Sequence, residues 1–61
     1  MYAVTFTDKN DGTEKVSRYF QTLHAARGWV RRIGKERYIA ETFIYRGGEG
    51  GELIARSGQV V

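Results

Sequence analysis

His24 is the only imidazole in the chain, and there is no cysteine. A nucleophilic serine needs a base within hydrogen-bond reach and a third group to orient that base. Ser17 and Ser57 stand at no recognisable spacing from His24 and an acid. A zinc site would have to combine one histidine with carboxylates on short strands, an uncommon ligand set. Asp8, Asp11 and Glu14 lie close together around Gly12. Paired carboxylates can do acid–base work, but Asp, Asn and Gly in one short run ordinarily make a solvated turn. The sequence therefore reads as no enzyme, with no metal and no cofactor.

Two further segments invite chemical readings and lose them. Gly47-Gly48-Glu49-Gly50-Gly51 resembles a phosphate-binding loop in glycine content, but such a loop needs Lys-Ser/Thr opening a helix behind it. Here Glu52-Leu53-Ile54 opens a strand. Arg46-Gly47-Gly48 is a single Arg-Gly-Gly unit, and a hairpin loop explains it better.

The chemistry that remains is recognition. The net charge is +3, and Arg27, Arg31, Arg32, Lys35 and Arg37 fall in one stretch with Glu36 as its only acid. Guanidinium forks bind carboxylates and phosphates bidentately. A row of His24, Arg27, Arg31, Arg32 and Lys35 thus suits an anionic partner, a protein or a nucleic acid; the alternative is a solvated helix face. Aromatic side chains are the second resource. Tyr19, Tyr38, Phe43 and Tyr45 cannot all point inward with Phe6, Phe20 and Trp29 in so small a core. Exposed Phe43 and Tyr45 would serve base stacking or a protein interface, or simply cover the sheet edge.

The elements that position these residues follow from periodicity. Tyr2, Val4 and Phe6 alternate with Ala3, Thr5 and Thr7, the pattern of a half-buried strand. A turn centred on Asp11-Gly12 leads to a second strand, Glu14 to Phe20, with Val16 and Phe20 inward. Thr22 is the expected N-cap of a helix from Leu23 to Ile33. On that helix Leu23, Ala25, Ala26, Trp29, Val30 and Ile33 face the core, and His24, Arg27, Gly28, Arg31, Arg32 and Lys35 face away. Gly34 is expected to end it in the left-handed conformation. In Tyr38 to Arg46, alternation assigns Tyr38, Ala40, Thr42 and Ile44 to one face and Ile39, Glu41, Phe43 and Tyr45 to the other. Glu52 to Arg56 is a fourth strand, and Gln59-Val60-Val61 a short fifth after a turn at Ser57-Gly58.

The fold expected is α+β, in the order β-β-α-β-β(-β): one antiparallel sheet with a single amphipathic helix across one face. Sixty-one residues make one domain, 1–61, which buries only about 60% of its unfolded surface. No apolar run approaches the roughly 20 residues of a membrane span, and Met1 to Phe6 reads as a strand, not a signal peptide. Absence of cysteine fits a reducing compartment, so a cytoplasmic location is expected. The apolar end Val60-Val61 has no gatekeeping proline, and an edge strand of that kind invites pairing with a second copy, a homodimer.

In its order of pieces the chain resembles the small phage-encoded anti-CRISPR inhibitors, some of which are tiny, cysteine-poor β-β-α-β-β-β domains. The residues concerned are the Met1-to-Phe6 strand, the helix start Thr22-Leu23-His24-Ala25-Ala26-Arg27, and the closing Gly51-Glu52-Leu53-Ile54-Ala55-Arg56, Ser57-Gly58 and Gln59-Val60-Val61. The resemblance implies a non-enzymatic inhibitor acting in the host cytoplasm. Its partner would be a protein with an acidic or nucleic-acid-binding surface, such as a CRISPR effector complex. Inhibitors that mimic DNA are strongly acidic and this chain is basic, so it would cover a protein or RNA-binding surface and not act as a duplex decoy. Direct DNA or RNA binding is the alternative.

Overall fold

The computed structural model describes residues 1–48, 50–57 and 59–60, the last two by backbone alone. Glu49, Gly58 and Val61, which the sequence assigns to the glycine loop, the final turn and the last strand, lie outside the described residues. The chain runs β1 (Tyr2–Asp8), β2 (Glu14–Phe20), α1 (Leu23–Ile33), β3 (Ile39–Arg46), β4 (Glu52–Arg56) and β5 (Gln59–Val60). The strands form one sheet in the order β2-β1-β3-β4-β5, with every neighbour antiparallel. This is the α+β architecture that the periodicity requires.

Local chemistry explains the connections. In the first turn Gly12 takes φ +73°, and the Asp8 and Asp11 carboxylates accept from the Asn10 and Thr13 backbone N–H groups. The bond from Thr13 N–H, joined by the Thr13 hydroxyl, lowers the Asp11 pKa to about 2. Asp11 contributes to the turn above the usual carboxylate range, and its contribution is lost as pH falls through about 2. The Thr22 hydroxyl accepts from Ala25 N–H at 3.2 Å and caps α1. The glycine run closes the β3–β4 hairpin. A Cβ on Gly51 would overlap the Arg46 carbonyl oxygen, a clash with backbone that no side-chain rotation relieves.

The core lies between α1 and the sheet. Val4, Ala26, Val30, Ile33, Ile39, Ile44 and Ala55 are buried, with Tyr2, Phe6, Phe20, Leu23, Trp29 and Ile54 packed against them. Three bulges reassign faces that strict alternation would fix. In β2, Ser17 is the extra residue between the pairs Val4↔Arg18 and Thr5↔Val16. The expectation that Val16 packs on the helix is therefore corrected: it shares the opposite face with Thr5, while Ser17 accepts from the Trp29 indole N–H at 2.8 Å. In β3, Ala40 is extra, so Ile39 enters the core and does not share the Phe43–Tyr45 face. Tyr38 precedes the strand, 45% exposed, with its ring edge-on to Phe6 at 5.8 Å. In β4, Ile54 is extra and packs on the core. A bulge shifts the pairing by one residue, and one residue is enough to change faces.

Two details of α1 also differ from expectation. Gly34 is right-handed, at φ −62° and ψ −13°, and its N–H still bonds the Val30 carbonyl, so the last turn tightens without a left-handed residue. Ala25 is exposed and does not reach the core. No helix is long and apolar enough to cross a membrane among the described residues.

Candidate functional site

The residues singled out by sequence fall on two opposite surfaces. His24, Arg27, Arg31, Arg32 and Lys35 are exposed on the helix side. Phe43 and Tyr45 pair with Thr5 and Ala3 on the far face of the sheet. A single flat partner cannot touch both.

The far face is occupied with its own interactions. Ala3 and Thr5 are 0% and 1% exposed although no helix covers them. The cover is a thin layer of side chains. The Tyr45 hydroxyl donates to the Glu14 carboxylate at 2.9 Å, and the Thr5 hydroxyl donates to the same carboxylate oxygen at 2.7 Å. Phe43 stacks on Tyr45 with centroids 6.3 Å apart, and the Arg56 guanidinium lies 5.9 Å from the Phe43 ring while pairing with Glu41. Burial, then the Glu14 carboxylate, raises the Tyr45 phenol above its usual range, whereas Arg56 lowers the Glu41 carboxyl. A base stacking on Phe43 and Tyr45 would have to displace Arg56 and bring phosphates towards Glu14 and Glu41. The geometry favours a structural role for this pair.

The helix side is different. Lys15, Arg46 and Arg56 are the cations held in salt bridges among the described residues, by Asp8 and Asp11, Glu52 and Glu41 respectively. Glu14 is taken by Thr5 and Tyr45. Those carboxylates are thus used up at the hairpin turn and on the sheet. Glu36, exposed beyond the end of α1, holds no cation among the described residues. The α1 cations are therefore unpaired among the described residues. Glu41, a conceivable partner for a helix arginine, is engaged by Arg56.

The basic face also divides. Arg32 turns toward β2, its guanidinium 5.8 Å from the Trp29 ring; Arg18 approaches the same ring at 5.1 Å and Phe20 at 5.7 Å. Arg18 shares the helix side through its pairing with Val4 and escaped sequence reasoning, because only the Ser17 bulge places it there. Arg27 and Arg31 turn the other way and border clefts between α1 and β4. At the crest, Gly28 leaves open space where a side chain would stand. No cluster of His, Asp or Glu with metal-binding geometry occurs among the described residues.

No protein-family model matches this chain, and neither a curated protein nor a solved structure is detectably similar to it.

Proposed function

We propose that the chain is a non-enzymatic binding module that docks on the acidic surface of a partner protein through α1 and occludes it. The inhibitor-like role expected from the resemblance to anti-CRISPR proteins fits this mode of action. One observation carries the proposal: Arg27, Arg31 and Lys35 share an exposed helix side without carboxylate partners among the described residues, while the sheet-side acids are engaged. The helix fixes where these guanidinium forks stand and their planar geometry matches a carboxylate, which offsets the roughly 0.5–1.5 kcal/mol that ordering each exposed side chain costs on binding.

The test is capture of the partner from nuclease-treated host lysate, followed by titration of the purified partner over a range of salt. A protein partner should survive the nuclease, with an affinity that falls modestly as salt rises. Recovery of nucleic acid instead would overturn the reading. So would a log K that falls by about 0.7–0.9 per neutralised phosphate for each tenfold rise in salt, summed over several phosphates.

The proposal includes a homodimer through the outer edge of β5, the end of the sheet that is short and last in strand order. The other edge, β2, is interrupted by its bulge and carries Glu14, Lys15 and Arg18, features that discourage pairing. Sedimentation at high micromolar concentration should give a dimer; monomer alone would refute this part.

A further inference from the structure

We propose that the cleft between α1 and β4 is the recognition groove, and that it takes an acidic segment of another protein bearing aliphatic side chains. This rests on the binding role proposed above and names its site and ligand chemistry.

The groove follows from dimensions. A five-stranded sheet is about 19 Å wide at 4.8 Å per strand spacing, and a helix with its side chains is about 10–12 Å across. One helix cannot cover five strands. Here α1 packs over β1, β2 and β3, and none of its Cα atoms comes within 8 Å of one in β4. Beside it runs a row of three adjoining clefts, the first two between α1 and β4 and the third between the end of α1 and β3. The first meets the second at Arg27 and Ala55, and the second meets the third at Val30 and Arg31. From Leu23 to Lys35 the row is about 18 Å long at 1.5 Å per helical residue. That accommodates about five extended residues.

Its chemistry is two-sided. Leu23, Leu53 and Ile54, each half-buried, supply the aliphatic surface, above a floor in which Val30, Ile44 and Ala55 are almost closed off. The Ile54 bulge brings that residue against the core beside Ala55, where regular alternation would have turned it to the far face. Along the helix border stand Arg27 and Arg31, with Lys35 at the far end. A carboxylate lines each end, already held by an arginine: Glu52 at the Leu23 end, paired with Arg46 at 3.4 Å, and Glu41 at the Lys35 end, paired with Arg56. Apolar residues under a row of cations select apolar side chains flanked by carboxylates. Among the described residues the groove lining contains no aromatic ring, and sequence-tolerant binding of single strands depends on rings for stacking. The lining therefore favours an acidic protein segment over single-stranded nucleic acid.

The experiment uses three fluorescein-labelled probes against the full chain: a 12-residue peptide of Glu and Leu, the same peptide with each Leu replaced by Ser, and a dT 12-mer. The Leu peptide should bind at least about tenfold more tightly than the Ser peptide, the gain expected from burying a few methylenes. Its addition should shift the backbone amide resonances of Arg27, Arg31, Ile54 and Ala55. Ile54→Gln should remove the preference for Leu. The amide shifts, measured on the unaltered chain, decide the matter even if that variant folds poorly. Equal binding of the two peptides, with loss only in the double variant Arg27→Glu/Arg31→Glu, would overturn the groove and leave the basic helix face standing. Tighter binding of the dT 12-mer than of the Leu peptide, or no binding by either peptide, would overturn both.

Discussion

Trp29→Ala is expected to lower stability by about 3 kcal/mol, at the bottom of the range for removing a large aromatic from a core. Trp29 is half-buried, which limits the loss of apolar burial. Its other interactions add to it. The indole N–H donates to Ser17 at 2.8 Å, Phe20 packs at 6.1 Å, and the Arg18 and Arg32 guanidinium groups lie near the ring. A domain of 61 residues has about 3–9 kcal/mol to lose. The variant should therefore melt about 15 °C lower or fail to fold. Trp29→Phe keeps a ring in the same place and leaves the part-buried Ser17 hydroxyl without its donor, at about 1 kcal/mol. Thermal melts followed by circular dichroism distinguish the two. A Trp29→Ala midpoint within about two or three degrees of the parent, well short of the shift expected for a lost core aromatic, would mean that this side chain does not tie α1 to β2.

That tie also shows why some of the fold was legible in the sequence and some was not. The helix from Leu23 to Ile33 announces itself through a threonine cap and a 3.6-residue apolar stripe, both local properties of the chain. The first hairpin announces itself through Asp11-Gly12 and alternation in β1. Bulges have no such signature. Ser17 is inserted because Trp29, twelve residues later, rewards a hydroxyl at that point. Ala40 is inserted because Ile39 gains burial by changing sides. Each depends on a neighbour that pairing brings close, and a sequence window cannot contain it. The candidate site divides in the same way. The spacing of Arg27, Arg31, Arg32 and Lys35 reveals a basic helix face, but which strands lie under each side of that helix depends on where it sits on the sheet. Arg32 accordingly lies against Trp29, whereas Arg27 and Arg31 border β4. Phe43 and Tyr45 were legible as partly exposed aromatics; their tether to Glu14 needed the Ser17 bulge, which puts Glu14 on their face.

The double variant Arg27→Glu/Arg31→Glu is expected to fold as the parent does and to lose binding by about a hundredfold or more, the loss that reversed charges at an interface produce. Folding should survive because both residues are exposed and neither is in a salt bridge among the described residues. The like-charge pair at i,i+4 becomes another like-charge pair, a change of about a few tenths of a kcal/mol at most. The acid introduced by Arg31→Glu would also stand in the last turn of α1, where the helix dipole disfavours negative charge and where Arg31 now complements it. Together these terms leave a measurable but small drop in melting temperature. Binding is another matter. Each substitution removes an attraction and places a carboxylate opposite the partner's carboxylates, a juxtaposition that costs several kcal/mol at an interface. The net charge falls from +3 to −1, since two residues each change by two units, 3 − 4 = −1. Long-range steering alone would weaken binding by that amount of charge wherever it were placed. Lys9→Glu/Arg37→Glu makes the same change in net charge at exposed positions outside α1. It should retain most of the affinity. If the two double variants bind the captured partner equally weakly, net charge and not the α1 surface governs recognition. If Arg27→Glu/Arg31→Glu binds at parental affinity while folded, the partner lies elsewhere on the molecule.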